Sequence, residues 1–288
     1  MFESLDDTNE NELRESLDSE FNFEEMAEIE PAMVSLVEQM KENIETGKYD
    51  TLISDDAGGR VVTLVLRNII KKQNPDKSCD TYFVSAEGAF RAPFKNSNLE
   101  SEEDHDNYEK LLQHLRNIKS EAETKDALLV TQYVHSGRTI THLAEALEKA
   151  GIHKFDVAAL SASWFENDPE DLKALGHSVY SGTRTGHKID ENHQKLSGVR
   201  QFKKGEYTPF PSTLEKAIEV QGREFSGAEI VSEEMRQLSE DEYIDKVHAP
   251  LQDKERGEIK ENIRRAREDV ALLAEKVIQQ VWSEGSEK

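Results

Sequence analysis

From residue 24 onward the apolar positions follow two rhythms that alternate along the chain. Met26, Ile29, Met33, Leu36, Val37, Met40 and Ile44 recur every three to four residues, which predicts one buried face of a helix. Pro31 should mark an early turn or a break in that segment. Gly47 suits its carboxyl end. "YDTLIS" (49–54) then reads as a short apolar strand and "DDAGGR" as a turn. "VVTLVLRNIIKK" (61–72) reads as a helix so apolar that it should lie buried against a sheet. "DTYFVSA" (80–86) is a second strand, and the polar stretch 87–106 a long loop. Residues 107–122 form an amphipathic helix, and a third strand opens at 127–130. A helix over 139–149, closed by Gly151, leads to a fourth strand, "FDVAALSA" (155–162). A short helix at 169–175 and a fifth strand, "HSVYSG" (177–182), complete the series.

Strands that alternate with helices in this way indicate an α/β fold, a mainly parallel sheet with helices on both faces. Right-handed crossovers then make the carboxyl ends of the strands the expected ligand edge, and both glycine-bearing loops, "DDAGGR" and "HSGRT", fall there. Beyond residue 182 the pattern loosens into a polar, comparatively basic stretch, followed by a helix at 212–220. A long helix at 258–282 carries Ile259, Ile263, Ala266, Val270, Leu273, Val277 and Val281 as a single stripe. That stripe either packs on the core or pairs with a second copy of itself in a homodimer. The chain thus divides into an acidic tail (1–22), an α/β domain (23–210) and a C-terminal helical extension (211–288).

Charge narrows the choice of partners. With a formal net charge of −23, the chain repels nucleic acid and anionic membrane except at a local basic patch. The first thirty residues hold a single base, Arg14, among many acids, and the first twenty or so read as a disordered acidic tail. No apolar run is long enough to span a bilayer, and the N-terminus lacks the basic and apolar regions of a signal peptide. Cys79 is the one cysteine, which excludes internal disulfides and cysteine-rich zinc sites. A cytoplasmic location is the simplest expectation.

The chemistry lies in the two loops. His135, Ser136, Gly137, Arg138 and Thr139 join a strand to a helix through small and hydroxyl-bearing residues. Free backbone N–H groups at a helix start, aided by the helix dipole, favour an anion and most often a phosphate. A plain cap that only satisfies those groups is the competing reading. The earlier loop, with Ala57, Gly58, Gly59 and Arg60, also joins a strand to a helix, and its paired glycines open backbone geometries closed to other residues. Neither GxxxxGK[ST] nor GxGxxG occurs. His187 and His193 flank acids, but their spacing matches no metal motif. Trp164 and Phe165 suit core packing or stacking on a base, and Arg91 and Lys95 lie in the long second loop.

Over roughly residues 24–182 the chain resembles the type I phosphoribosyltransferase family. "ALLVTQYVHSGRTITHLAEALEKAG" is similar to that family's apolar strand, acidic pair, T-T/S-G-x-T loop and helix, and "LISDDAGGRVVTLVLRNII" looks like its diphosphate loop. The resemblance implies that residues 135–139 cradle the 5′-phosphate of a phosphoribosyl group and that residues 57–60 face the diphosphate. It implies phosphoribosyl diphosphate or a nucleoside monophosphate as ligand, with Mg²⁺ as a companion that the sequence does not itself require. The family's acidic pair, which holds the ribose and supports the charge that develops in transfer, is replaced here by Thr131 and Gln132. Asp55 and Asp56 beside the second loop would repel a diphosphate unless Mg²⁺ bridges them. Sugar-phosphate isomerase-type domains also use an S-G-x-T loop, but without the Gly-Gly companion. The resemblance therefore implies retained binding with weakened or altered transfer, or a non-catalytic sensor on the same fold.

Overall fold

The computed structural model describes residues 20–55, 59–84, 102–122, 124–134, 138–162, 177–184 and 253–283. In chain order the elements are α1 (Glu24–Glu45), β1 (Thr51–Asp55), α2 (Arg60–Gln73), β2 (Asp80–Val84), α3 (Glu102–Glu121), β3 (Ala127–Val134), α4 (Arg138–Ala150), β4 (Phe155–Ala162), β5 (Val179–Arg184) and α5 (Asp253–Ser283). The strands pair in parallel in the order β2-β1-β3-β4-β5. This is a doubly wound sheet whose direction of growth reverses between β1 and β3.

The predicted rhythms appear as two cores, one on each face of the sheet. Leu52, Leu128, Val130, Ala158 and Leu160 meet the apolar stripes of α1, α2 and α5. The alternate residues Ile53, Leu129, Val157 and Ala159 meet α3 and α4. Successive strand side chains point to opposite faces, so strands enclosed on both sides read as continuous apolar runs. The described part of the α5 stripe, from Ala266 to Val281, is spent on the first core.

Two glycines end helices as expected. Gly47 (φ 62°) and Gly151 (φ 87°) adopt the left-handed conformation. Around Gly47, its own N–H bonds to the Ile44 carbonyl and that of Lys48 to the Asn43 carbonyl. Gly151 and Ile152 bond back to Glu148 and Leu147 in the same way. These paired bonds satisfy carbonyls that would otherwise be orphaned at a helix end.

Several boundaries differ from the expected ones. Pro31 lies inside α1, and the helix neither turns nor breaks there. It is exposed, while Ile29, Ala32 and Met33 on either side are buried, so the lost hydrogen bond falls where water can replace it. α3 starts at Glu102, taking up the end of the expected loop, because Glu102, Glu103 and Asp104 suit the positive end of a helix. β3 runs on to Val134 and β5 begins at Val179, while the second strand is described over Asp80–Val84 and its expected last residues, 85 and 86, lie outside the described residues. The helices expected at 169–175 and 212–220, residues 1–19 of the acidic tail (1–22) and all of the basic stretch 184–204 beyond Arg184 lie outside the described residues.

Long-range polar contacts fasten α1 to α5 and to β5. The α1 N-terminus has no cap of its own; the buried Asp269 carboxylate on α5 accepts hydrogen bonds from the Asn22 N–H (2.9 Å), the Asn22 side-chain amide (2.7 Å) and the Phe23 N–H (2.9 Å). An anion at this position also complements the α1 dipole. At the β5 edge of the sheet, the Gln39 side-chain amide donates to the Ser181 carbonyl at 2.8 Å, so part of that edge is covered. α1 approaches β5 closely at Gly182, where a Cβ would lie 2.2 Å from the Ala32 carbonyl oxygen.

Candidate functional site at the carboxyl edge of the sheet

The strand order places the carboxyl ends of β1 and β3, from which the two loop segments lead, side by side. β1 and β3 are hydrogen-bonded neighbours, and α2 and α4 begin within a few residues of their carboxyl ends. α2 packs on one face of the sheet and α4 on the other. Two helix N-termini, each equivalent to about half a positive elementary charge, therefore flank the carboxyl edge at its reversal point. β1 pairs with β3 only as far as Ser54–Val130, whereas β3 continues beside β4 through Val134–Ala162. The edge is stepped where the two loops emerge.

The predicted residues divide into three groups. His135, Ser136, Gly137, Ala57 and Gly58 lie outside the described residues. Arg138 and Thr139 open α4, and Thr139 is exposed in its first turn. Gly59 precedes α2 with no side-chain cap, which leaves the α2 start to backbone chemistry. Arg60 is 5% exposed, and its guanidinium lies over the Phe83 ring of β2, 4.6 Å from the centroid. Thr131 and Gln132 are enclosed in β3, and strand alternation turns them toward opposite faces. Asp55 ends β1 opposite Val84.

The structure adds residues that the sequence did not single out. Tyr133, Ser161 and Thr183 occupy one row across β3, β4 and β5. Ser161 is 1% exposed, and among the described residues neither its Oγ nor the Oγ1 of Thr183 has a hydrogen-bond partner. The signal available in the sequence was a hydroxyl inside an apolar strand run, "AALSA", which identifies the residue but not its neighbours.

The opposite, amino edge carries a second polar group. Asp156 accepts from Lys48 Nζ at 2.6 Å, from the Tyr49 hydroxyl at 2.7 Å and from the Ser178 N–H at 3.2 Å. Burial, and then the Asp156 carboxylate, push the Tyr49 phenol far above its ordinary range. His177 stacks on Phe155 with ring centroids 3.7 Å apart, and its Nε2 lies 3.2 Å from Glu148 Oε1. Cys79 is buried, and burial raises its thiol to about 11, so it is not a thiolate nucleophile at neutral pH.

No family model, curated protein or solved structure matches the chain. Among the described residues, no group of His, Cys, Asp or Glu is arranged to hold a metal ion. Also among them, no helix is long and apolar enough to cross a membrane.

Proposed function

We propose that the carboxyl edge binds a phosphoribosyl or nucleotide ligand through its phosphate. The observation that carries this reading is the convergence of the α2 and α4 N-termini on neighbouring strands from opposite faces of the sheet. Backbone donors and dipoles at such a junction favour a phosphate over a neutral ligand. The loop motifs supply hydroxyls at Ser136 and Thr139 and close backbone approach at Gly137, Gly58 and Gly59. Isothermal calorimetry with ribose 5-phosphate, a nucleoside monophosphate and phosphoribosyl diphosphate with Mg²⁺ tests it. Saturable binding that weakens about tenfold or more in Ser136→Ala or Thr139→Ala is the expected result, each hydroxyl contact to a charged group contributing about 1.5–3 kcal/mol. Heat changes that never saturate with any of the three would end this reading.

Transfer of the phosphoribosyl group to a base-like acceptor is the catalytic form of the same reading. Thr131 and Gln132 favour the binding form, because both are neutral and enclosed. A missing carboxylate costs a few kcal/mol of transition-state stabilisation, which is roughly a hundredfold or more in rate. Release of diphosphate from phosphoribosyl diphosphate and Mg²⁺, assayed across a panel of bases, separates a transferase from a sensor.

A further inference from the structure

We infer that Ser161 and Thr183 form a second subsite, which takes the hydrogen-bonding edge of the base in a nucleoside monophosphate. The inference rests on the phosphate reading above and extends it to the uncharged part of the ligand.

The two residues face each other across β4 and β5, near the carboxyl ends of both strands. Strand alternation puts them on the side of the sheet that α4 covers, with Val157 and Ala159. α4 connects β3 to β4, so its first turn lies over the same end of the same strands. The subsite and the helix N-terminus therefore border one region.

An enclosed hydroxyl without a partner costs about 1–3 kcal/mol, and most proteins avoid it. Two of them on adjacent strands call for an explanation, and ligand recognition supplies one. A hydroxyl can both donate and accept, which suits the carbonyl and amino groups of a base edge. It carries no charge, so it offers little to a second phosphate. Strands lie about 4.8 Å apart, so the pair stands one to two strand spacings, roughly 5–10 Å, from the end of β3. That is the separation of phosphate and base in a mononucleotide.

The test compares ribose 5-phosphate with the monophosphates of adenosine, guanosine, cytidine and uridine. Binding to wild type, Ser161→Ala and Thr183→Val is measured by calorimetry, and each protein is melted with and without ligand. At least one monophosphate should bind wild type more tightly than ribose 5-phosphate does. Each variant should lose roughly tenfold in that affinity, keep its affinity for ribose 5-phosphate within about twofold, and melt no lower than wild type without ligand. If the variants weaken ribose 5-phosphate equally, or leave every nucleotide unaffected, the subsite is refuted while the phosphate reading stands. A lower melting temperature without ligand would assign the hydroxyls to the fold and equally refute the subsite. Should wild type bind none of the five compounds, the phosphate reading fails and the subsite fails with it.

Discussion

The two ends of the sheet treat their polar groups in opposite ways. At the amino edge, Asp156 takes donors from Lys48 and Tyr49 just ahead of β1 and from Ser178 just ahead of β5, and Asp50 accepts the N–H groups of Lys125 and Asp126. Asn43 donates to the Tyr180 hydroxyl, and Glu148 lies between His153 and His177. Most of these groups find a hydrogen-bond partner inside the protein; His177 Nε2 sits 3.2 Å from Glu148 Oε1 without hydrogen-bond geometry, and Thr81 Oγ1 near the start of β2 makes no hydrogen bond among the described residues. At the carboxyl edge, two helices begin without an acidic residue in their first turns, and the Ser161 and Thr183 hydroxyls are enclosed with no partner among the described residues. One edge is built to close the sheet, whereas the other keeps hydrogen-bonding capacity in reserve. Free energy withheld from folding at one end can be recovered when something binds there.

Replacing Asp156 should break this contrast most severely. Asp156→Ala leaves the Tyr49 hydroxyl, the Ser178 N–H and the Lys48 ammonium without their shared acceptor. Loss of one partner from a buried ion pair costs about 3–5 kcal/mol, and the lower end applies here because Lys48 is partly exposed. Urea unfolding should show it, and a loss below about 1 kcal/mol would mean that the amino edge is not the closed end. Gly182→Ala comes next. Its methyl group would meet the Ala32 backbone, and overpacking of this kind costs about 1–3 kcal/mol. Wild-type stability in that variant would mean that α1 and β5 are not tightly packed.

Tyr49→Phe is a milder cut, worth about 1.5 kcal/mol at neutral pH, because it removes the hydrogen bond to the Asp156 carboxylate and the long one accepted from the Asn43 side-chain amide at 3.3 Å. Its sharper effect is on pH dependence. The unfolded phenol ionises near its ordinary value of 10.0, whereas the folded one holds its proton well beyond that. Above this value the folded state binds more protons than the unfolded state, so wild-type stability falls as pH rises, by about 1.4 kcal/mol per unit. Below it the contribution is fully present. The variant should lose this part of the alkaline decline. Parallel stability–pH curves for the two proteins between pH 9 and 11 would show that the phenol ionises freely in the fold.

Much of the architecture was legible because it depends on local periodicity. The stripe from Met26 to Ile44, the apolar runs at 127–130 and 155–162, and the glycines at 47 and 151 each report a local environment. Local rules also misled where a distant contact outweighed them. Pro31 was expected to interrupt a helix that burial of Ile29, Ala32 and Met33 carries through. The Asp269 cap on α1 spans 246 residues, and the Lys48–Asp156 pair spans 108. Neither can be read without knowing which elements become neighbours. The same holds at the candidate site. "HSGRT" and "DDAGGR" are visible as loops that follow strands, but that β1 and β3, the strands they follow, are neighbours is a property of the order β2-β1-β3-β4-β5. Ser161 and Thr183 gain meaning only through the register that sets them opposite each other.

The smallest expected effect is the one that most sharpens the comparison. Ser161→Ala removes a hydroxyl of a residue that is 1% exposed and has no partner among the described residues. Deleting a satisfied buried hydroxyl costs about 1 kcal/mol, whereas deleting an unsatisfied one costs nothing or returns part of its desolvation penalty. The free protein should therefore unfold at the same urea concentration as wild type or slightly higher, by an amount worth about 0–1 kcal/mol. Tyr49→Phe, at the other edge, removes a hydroxyl of similar burial and should do the reverse. Equal losses from the two cuts would mean that both edges are closed in the same way, and the distinction between a sealed end and a receptive end would disappear.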